Sequence, residues 1–551
     1  MTLIPDILRQ RATDSPDELA YRFFRGNEDP DVLSYRVLWE RAAALAASLR
    51  AQGLAGQRAL LVCKSQTHFV VAFYACLLAC VIVVPTAVPR RQLLATRLAL
   101  LCRDAQAVAL LFDCIEMENV DLGPHAAPLL TIDLRVEEQA NVLSVPHRDD
   151  VSWAPRDVDD IAFLQYTSGS TGDPKGVVVT HGNLMHNSSE INQAMAITRE
   201  SSVLTALPLF HDMGLIGGVL QPMFAGCPGN IMSPVECVQR PQRWIQLIST
   251  LGITVSGGPN FMYELASEAC THEDLQSLTL ARWAVAFCGA EPVRVSTIER
   301  FAAAFEPFGF KRSAFFPCYG MAEATLFITG VDLAETPHTA QHQGSVVIGC
   351  GRPQPSTEVI IVDPESHALL EDGVIGEIWT RGPSVAAGYW MRPEITLATF
   401  EARLAAQPDA KYLRTGDLGF VTNGCLYVTG RLKDLLIVHG RNYAPQDLED
   451  DAERSHAALR RGGSAAFSLS DDDGERVVIV AEVEREWLRR IDEWVQVASA
   501  IRSAVHRNHL LHISEVQFIK PGALPRTSSG KLRRSQCKAD YVAGKYASAP
   551  N

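Results

Sequence analysis

Short apolar runs punctuate the chain as far as about residue 430, and between them apolar positions recur at helical spacing. ALLV (59–62), VIVV (81–84), VALLF (108–112), IAFLQYT (161–167), VVVT (177–180) and WAVAFCG (283–289) read as buried strands. LWERAAALAASLRAQG (38–53) reads as a helix between two of them. Strands alternating with helices predict an α/β fold on parallel sheets, with more than one sheet. From about residue 356 the rhythm shortens to strands and turns, as in EVIIVDPESHALLEDGVIGEIWTRG, which predicts a β-rich subdomain over about 350–430. Beyond GRLKD (430–434), AAFSL and VVIVAEV flank the acidic turn SDDDGE (470–475), and IDEWVQVASAIRSAVHRNH (491–509) reads as an amphipathic helix. The expected division is a large unit over 1–430, a connector at 431–433 and a small α+β unit over 434–551.

One apolar stretch has the length of a membrane span. Phe69 to Val88 carries no charge and is flanked by Lys64, Arg90 and Arg91. Pro85 and the β-branched VIVV run instead predict a buried helix followed by a buried parallel strand, so no stable membrane insertion is expected.

Composition narrows the class of partner. The 551 residues are 47% hydrophobic and 21% charged, which is ordinary for a globular protein and too long for a single core. Fifty Lys and Arg against 63 Asp and Glu leave a net charge of −13, which disfavours nucleic acid as a partner. Thirteen cysteines without a C-x-x-C pair predict reduced, buried thiols in a cytoplasmic protein, not a disulfide framework or a zinc site. The N-terminal sequence has no basic segment leading into an apolar one, so no signal peptide is expected.

The densest candidate chemistry lies in Tyr166-Thr167-Ser168-Gly169-Ser170-Thr171-Gly172-Asp173-Pro174-Lys175-Gly176, between two apolar strands. Hydroxyls and glycines at this density suit a loop that surrounds a polyphosphate, with Lys175 as a point charge. It is not a Walker A loop, because Gly176 follows the lysine where Ser or Thr is required.

This segment resembles the phosphate-binding signature of the adenylate-forming superfamily of acyl-CoA synthetases, peptide-synthetase adenylation domains and luciferases. Five further motifs occur in the order of that superfamily: Gly289-Ala290-Glu291-Pro292, Tyr319-Gly320-Met321-Ala322-Glu323, YLRTGD ending at Asp417, GRLKD containing Arg431 and Lys433, and LPRTSSGK ending at Lys531. PLFHDMGLIGG (208–218), SGGPNFMYEL (256–265), FFPCYGMAEATLF (315–327), RGPSVAAGYW (381–390) and GRNYAPQDLE (440–449) are most similar to the fatty acyl-AMP ligases.

The resemblance implies ATP-dependent activation of a fatty acid as its acyl-adenylate. Transfer to the phosphopantetheine thiol of an acyl carrier protein then follows. It assigns Lys531 to bridging the carboxylate and α-phosphate, Glu323 to Mg²⁺, Tyr319 to stacking on adenine, and Asp417 with Arg431 to the ribose. The backbone over 289–292 would line the adenine. Lys433 takes the hinge position about which a mobile C-terminal domain rotates. His211 falls between the nucleotide and acyl pockets, or else is a core histidine bonded to Asp212. Leu207, Met213, Ile216, Met232, Phe261 and Tyr263 are expected to line the acyl pocket.

The family's usual insertion before Gly349-Cys-Gly-Arg-Pro353 is short here, over Thr325 to Ile348. That keeps a fatty acyl-CoA synthetase as the alternative. Cys80 replaces a commoner glycine and reads as a packing variant. No carrier-protein Gly-Asp-Ser site occurs in the chain, so the carrier is expected in trans. A non-catalytic acyl-binding protein at a membrane is opposed by the retained Lys531, Glu323 and Asp417. An esterase is opposed by the lack of a G-x-S-x-G elbow.

Overall fold

The computed structural model describes residues 2–88, 94–118, 129–141, 157–167, 174–270, 278–333, 335–342, 345–404, 406–438, 441–471, 474–527 and 530–546. Two mixed sheets form the large body. The first runs Leu130–Asp133, Ala109–Phe112, Arg58–Val62, Ile82–Pro85, Ile161–Thr167, Lys175–Thr180 in spatial order. Its first five strands are parallel. Lys175–Thr180 is antiparallel to Ile161–Thr167, with Thr167 opposite Lys175, where strand alternation predicts parallel neighbours. The connection over 168–174 is too short for the crossover that a parallel pair needs.

The second sheet has nine strands. Its centre, from Phe315–Gly320 through Val285–Cys288, Val255–Gly258, Val203–Thr205 and Gly229–Met232 to Leu19–Phe24, is parallel, and antiparallel strands close both edges. One hydrophobic core lies between the two sheets, and a second covers the opposite face of the first. The apolar stretch resolves into the helix Gln66–Ala79, buried from Phe69 onward, and the strand Ile82–Pro85. Ser65 starts that helix by accepting from the His68 N–H at 3.3 Å. Cys80 ends it in the left-handed conformation at φ +58. The preference for glycine at this position therefore reflects backbone geometry rather than packing. No helix among the described residues is long and apolar enough to cross a membrane.

An antiparallel sheet of Glu358–Val362, Gly376–Arg381, Gln407–Thr422, Ala402–Leu404 and Cys425–Arg431 adjoins this body. Residues beyond it build a separate core, from Leu436 to Cys537, that shares no side chain with the large one among the described residues. Here Leu459–Asp471 and Gly474–Val483 form a hairpin, and Glu515–Ile519 pairs parallel to its second strand. The helix Pro445–Ser455 is fixed to this sheet by buried acids. Glu453 accepts from the N–H groups of Gly462 and Ser464 at 2.8 and 3.0 Å, and Glu449 from that of Ala466 at 2.9 Å.

Candidate active site

A cleft of about 2010 Å³ lies where the large body, the antiparallel sheet and the small unit meet. It is lined by Thr167, Lys175, His211, Met213, Phe261, the Gly289–Pro292 segment, Tyr319, Gly320, Met321, Glu323, Asp417, Arg431, Lys433 and Lys531. Motifs separated by more than 350 residues in the chain thus converge on one space. Ser168, Gly169, Ser170, Thr171 and Gly172 lie outside the described residues.

The floor is made where parallel strands end, the usual place for a ligand in an open α/β sheet. After Val285–Cys288 the chain turns through Gly289 and Ala290, which holds φ +67. A left-handed alanine costs about 1 kcal/mol or more and marks a wall whose backbone path is imposed. A Cβ on Gly289 would come within 2.9 Å of the Cys318 carbonyl oxygen, and one on Gly320 within 1.8 Å of the Leu326 carbonyl oxygen. Only glycine allows the two segments to approach so closely.

Asp417 is anchored through its N–H and both carboxylate oxygens. Its N–H donates to Thr415 Oγ1 at 3.1 Å, and the Thr415 hydroxyl donates to the Ile378 carbonyl at 2.7 Å. Arg431 Nε lies 2.9 Å from Asp417 Oδ1, and the Tyr319 phenol donates to Oδ2 at 2.8 Å. Asp417 also raises the Arg431 guanidinium's affinity for its proton.

Glu323 is 9% exposed and accepts from the Tyr389 phenol at 2.8 Å. Burial pushes its carboxyl above the ordinary range. A hard, buried carboxylate with spare acceptor capacity fits Mg²⁺, which takes one or two protein carboxylates and fills its shell with phosphates and water. A bound dication would restore the ionised form. Lys175 lies 5.1 Å from the centre of the same Tyr389 ring. Motif reasoning missed Tyr389, although it sits in the AAGYW stretch; it fixes both a carboxylate and a cation.

His211 and Asp212 make a contact through His211 Nδ1 and Asp212 Oδ1 at the head of a π-helical segment, Met213–Leu220. His211 is bonded to its neighbour and lines the cleft, half-buried rather than a core histidine. Burial pushes the Asp212 carboxyl up, but His211, Lys531 and the Met213 N–H outweigh it and hold the group below its usual range. Lys531 enters from the small unit. Burial lowers its ammonium pKa, opposed first by Asp212 and then by Asp417 and Glu291. Burial also lowers that of Lys433, in the turn Leu432–Asp434.

The expected acyl-pocket set divides. Met213 and Phe261 line the cleft; Leu207, Ile216, Met232 and Tyr263 do not and are buried core. In the helix Asn260–Ala269, Tyr263 follows Phe261 by two residues, roughly 200° round the axis. Its ring packs among Trp244, Phe301 and Phe315, and its hydroxyl donates to the Phe287 carbonyl at 2.7 Å. Met232 ends a fully buried strand, Ile216 lies on the inner side of the π-helical segment, and Leu207 packs toward Gly258. Apolar character alone does not separate a tunnel wall from the core behind it.

An α/β body whose cleft is completed by a lysine from a separately cored unit has the form of an adenylate-forming enzyme. The family model described as AMP-binding enzyme matches residues 8–390, and a Disco-interacting protein 2-like AMP domain matches 433–550. The chain belongs to the AMP-binding enzyme family. It is 38% identical over 98% of its length to the medium-chain-fatty-acid–[acyl-carrier-protein] ligase JamA of Moorena producens, covering 95% of that protein. It is 34% identical to the long-chain-fatty-acid–AMP ligase FadD26 of Mycobacterium marinum, over 98% and 97% of the two chains. The fatty acyl-adenylate ligase of L. pneumophila, solved with acyl adenylate and pyrophosphate, superposes with a TM-score of 0.74 at 34% identity, covering 98% of this chain and 96% of that one.

Proposed function

We propose that this protein is a cytoplasmic fatty acyl-AMP ligase that uses ATP and Mg²⁺ and passes its acyl group to an acyl carrier protein in trans. The observation that carries this reading is the delivery of Lys531 to a cleft that also holds Asp417, Arg431, Glu323 and the His211–Asp212 pair. A fatty carboxylate oxygen attacks the α-phosphorus, the bond to the bridging oxygen breaks, and pyrophosphate leaves. Both reactants are anionic, so Lys531 draws them together and Lys175 takes up charge on the departing phosphates. Glu323 would hold Mg²⁺, which would supply further neutralisation of the phosphates.

Asp417 and Arg431 hold the ribose, Tyr319 and the 289–292 segment enclose the adenine, and Met213 and Phe261 begin the acyl path. The 431–433 connector, with Lys433, is the hinge between a body over 1–430 and a C-terminal domain over 434–551. Its rotation withdraws Lys531 and admits the carrier's thiol. The free acyl-adenylate route suits a loading enzyme for polyketide or lipopeptide assembly.

The test is mass spectrometry of the purified protein with ATP, Mg²⁺ and saturated acids of graded length, divided between coenzyme A and a holo-acyl carrier protein. Acyl-AMP and acylated carrier without acyl-CoA is the expected outcome. Efficient acyl-CoA formation would transfer the protein to the synthetase class and point to the short 325–348 segment. Absence of any adenylate would reject the reading outright.

A further inference from the structure

Lys531 belongs to the small unit, whose core is separate from that of the body, so polar contacts between the units can decide how it is seated. The contact surface is acidic on the small unit's side. The helix Pro445–Ser455 presents Asp450 and Glu453 toward the body, and Glu264 and Glu291 lie near on the body itself. Arg294, two residues beyond Pro292, stands among them. Its guanidinium is 2.5 Å from Asp450 and 4.0 Å from Glu453. Its own N–H is fixed by Asn260 Oδ1 at 3.0 Å, at the start of the helix that carries Phe261. Arg454 adds a 3.1 Å hydrogen bond to Ser296.

A continuous path runs from this ion pair to the lysine. Glu453 accepts from the Gly462 N–H at 2.8 Å, and the Gly462 carbonyl accepts from the Arg526 guanidinium. Arg526 also donates to the Gly530 carbonyl at 2.9 Å, immediately before Lys531. We infer that Arg294 is a positioning residue for adenylation: it clamps the small unit through Asp450 and Glu453 and thereby seats Lys531 in the cleft. Removing its charge leaves Glu453 facing Glu264 and Glu291 without that cation and Asp450 with only Arg454, 3.5 Å away on its own helix, so the contact loosens. The inference rests on the adenylation reading for its kinetic consequence and on geometry alone for the clamp.

The test compares wild type, Arg294→Ala, Asp450→Asn and the exchanged pair Arg294→Asp with Asp450→Arg. Adenylate formation in single turnover, transfer from preformed acyl-adenylate to holo-carrier, and tryptic cleavage after Arg431 and Lys433 are measured on each full-length protein. Arg294→Ala is expected to slow adenylate formation by about tenfold or more, the scale of a reacting group displaced by less than an ångström. ATP KM and the transfer rate should stay within about twofold, and tryptic cleavage should accelerate. Asp450→Asn should shift each readout in the same direction, and the exchanged pair should regain much of the lost rate.

Equal loss in both half-reactions, or adenylation within about twofold of wild type, overturns the inference. Should Arg294→Ala fail to fold, Asp450→Asn and the exchanged pair decide it alone. Should the wild type make no adenylate, the adenylation reading fails, while the clamp is still decided by cleavage: unchanged tryptic rates in all variants reject it.

Discussion

Asp417 and Arg431 are register partners in the antiparallel pair Gln407–Thr422 and Cys425–Arg431, with Nε of the arginine 2.9 Å from the carboxylate. The sheet thus presents a charged acceptor already held by a cation on one oxygen and by the Tyr319 phenol on the other. Replacing Asp417 with alanine removes hydrogen bonds to a charged group and should cost about 1.5–3 kcal/mol, or roughly 10- to 150-fold in kcat/KM for ATP. Unchanged ATP kinetics in that variant would take Asp417 out of the site.

Lys531→Ala should abolish most adenylate formation yet leave transfer from chemically prepared acyl-AMP near the wild-type rate. Pyrophosphate release and carrier acylation, measured separately, check this. Near-normal pyrophosphate release would end the assignment of Lys531 to the first half-reaction.

The role proposed for Lys531 requires its charged ammonium, and burial lowers its pKa below that of a free lysine. The kcat/KM for ATP should therefore decline as pH rises through that depressed value, below the usual lysine range. Asp212 opposes the depression because its negative charge favours the ammonium. Asp212→Asn should move the alkaline limb to lower pH. A limb that stays fixed or moves upward contradicts the coupling.

Glu323→Gln keeps the Tyr389 hydrogen bond's acceptor but removes the charge proposed to hold a dication. The Mg²⁺ concentration for half-maximal adenylation should rise by about tenfold or more. A titration superimposable on wild type would place the metal elsewhere.

Gly320→Ala forces a Cβ to 1.8 Å from the Leu326 carbonyl oxygen, backbone against backbone. A stability loss of about 2–4 kcal/mol is expected from the displaced segment. Thermal and denaturant unfolding measure it, and a midpoint equal to wild type would refute the close approach.

Sequence order made much of this site legible. Six motifs carried it, and the structure brings their described members to one cleft, from strand ends of the large body, from within the antiparallel sheet at Asp417 and from the small unit at Lys531. What the sequence hid has three physical sources. Leu207, Ile216, Met232 and Tyr263 are apolar residues near the cleft, and side-chain direction, not apolarity, decides which face they occupy. The antiparallel return of Lys175–Thr180 is set by a connection length that alternation of elements does not encode. Arg294 and its partners Asp450 and Glu453 lie more than 150 residues apart as isolated charges, and nothing local distinguishes them from solvated surface.

The core of the body and that of the small unit have no side chain in common among the described residues, yet residues of both units line the cleft. Under the proposed clamp, catalytic alignment depends on ionic contacts between the units. Ionic strength acts on those contacts and barely on buried apolar surface. Added salt should lower the turnover of this enzyme well before it lowers the melting temperature of either unit, so the molecule loses its chemistry while both of its folds stay intact.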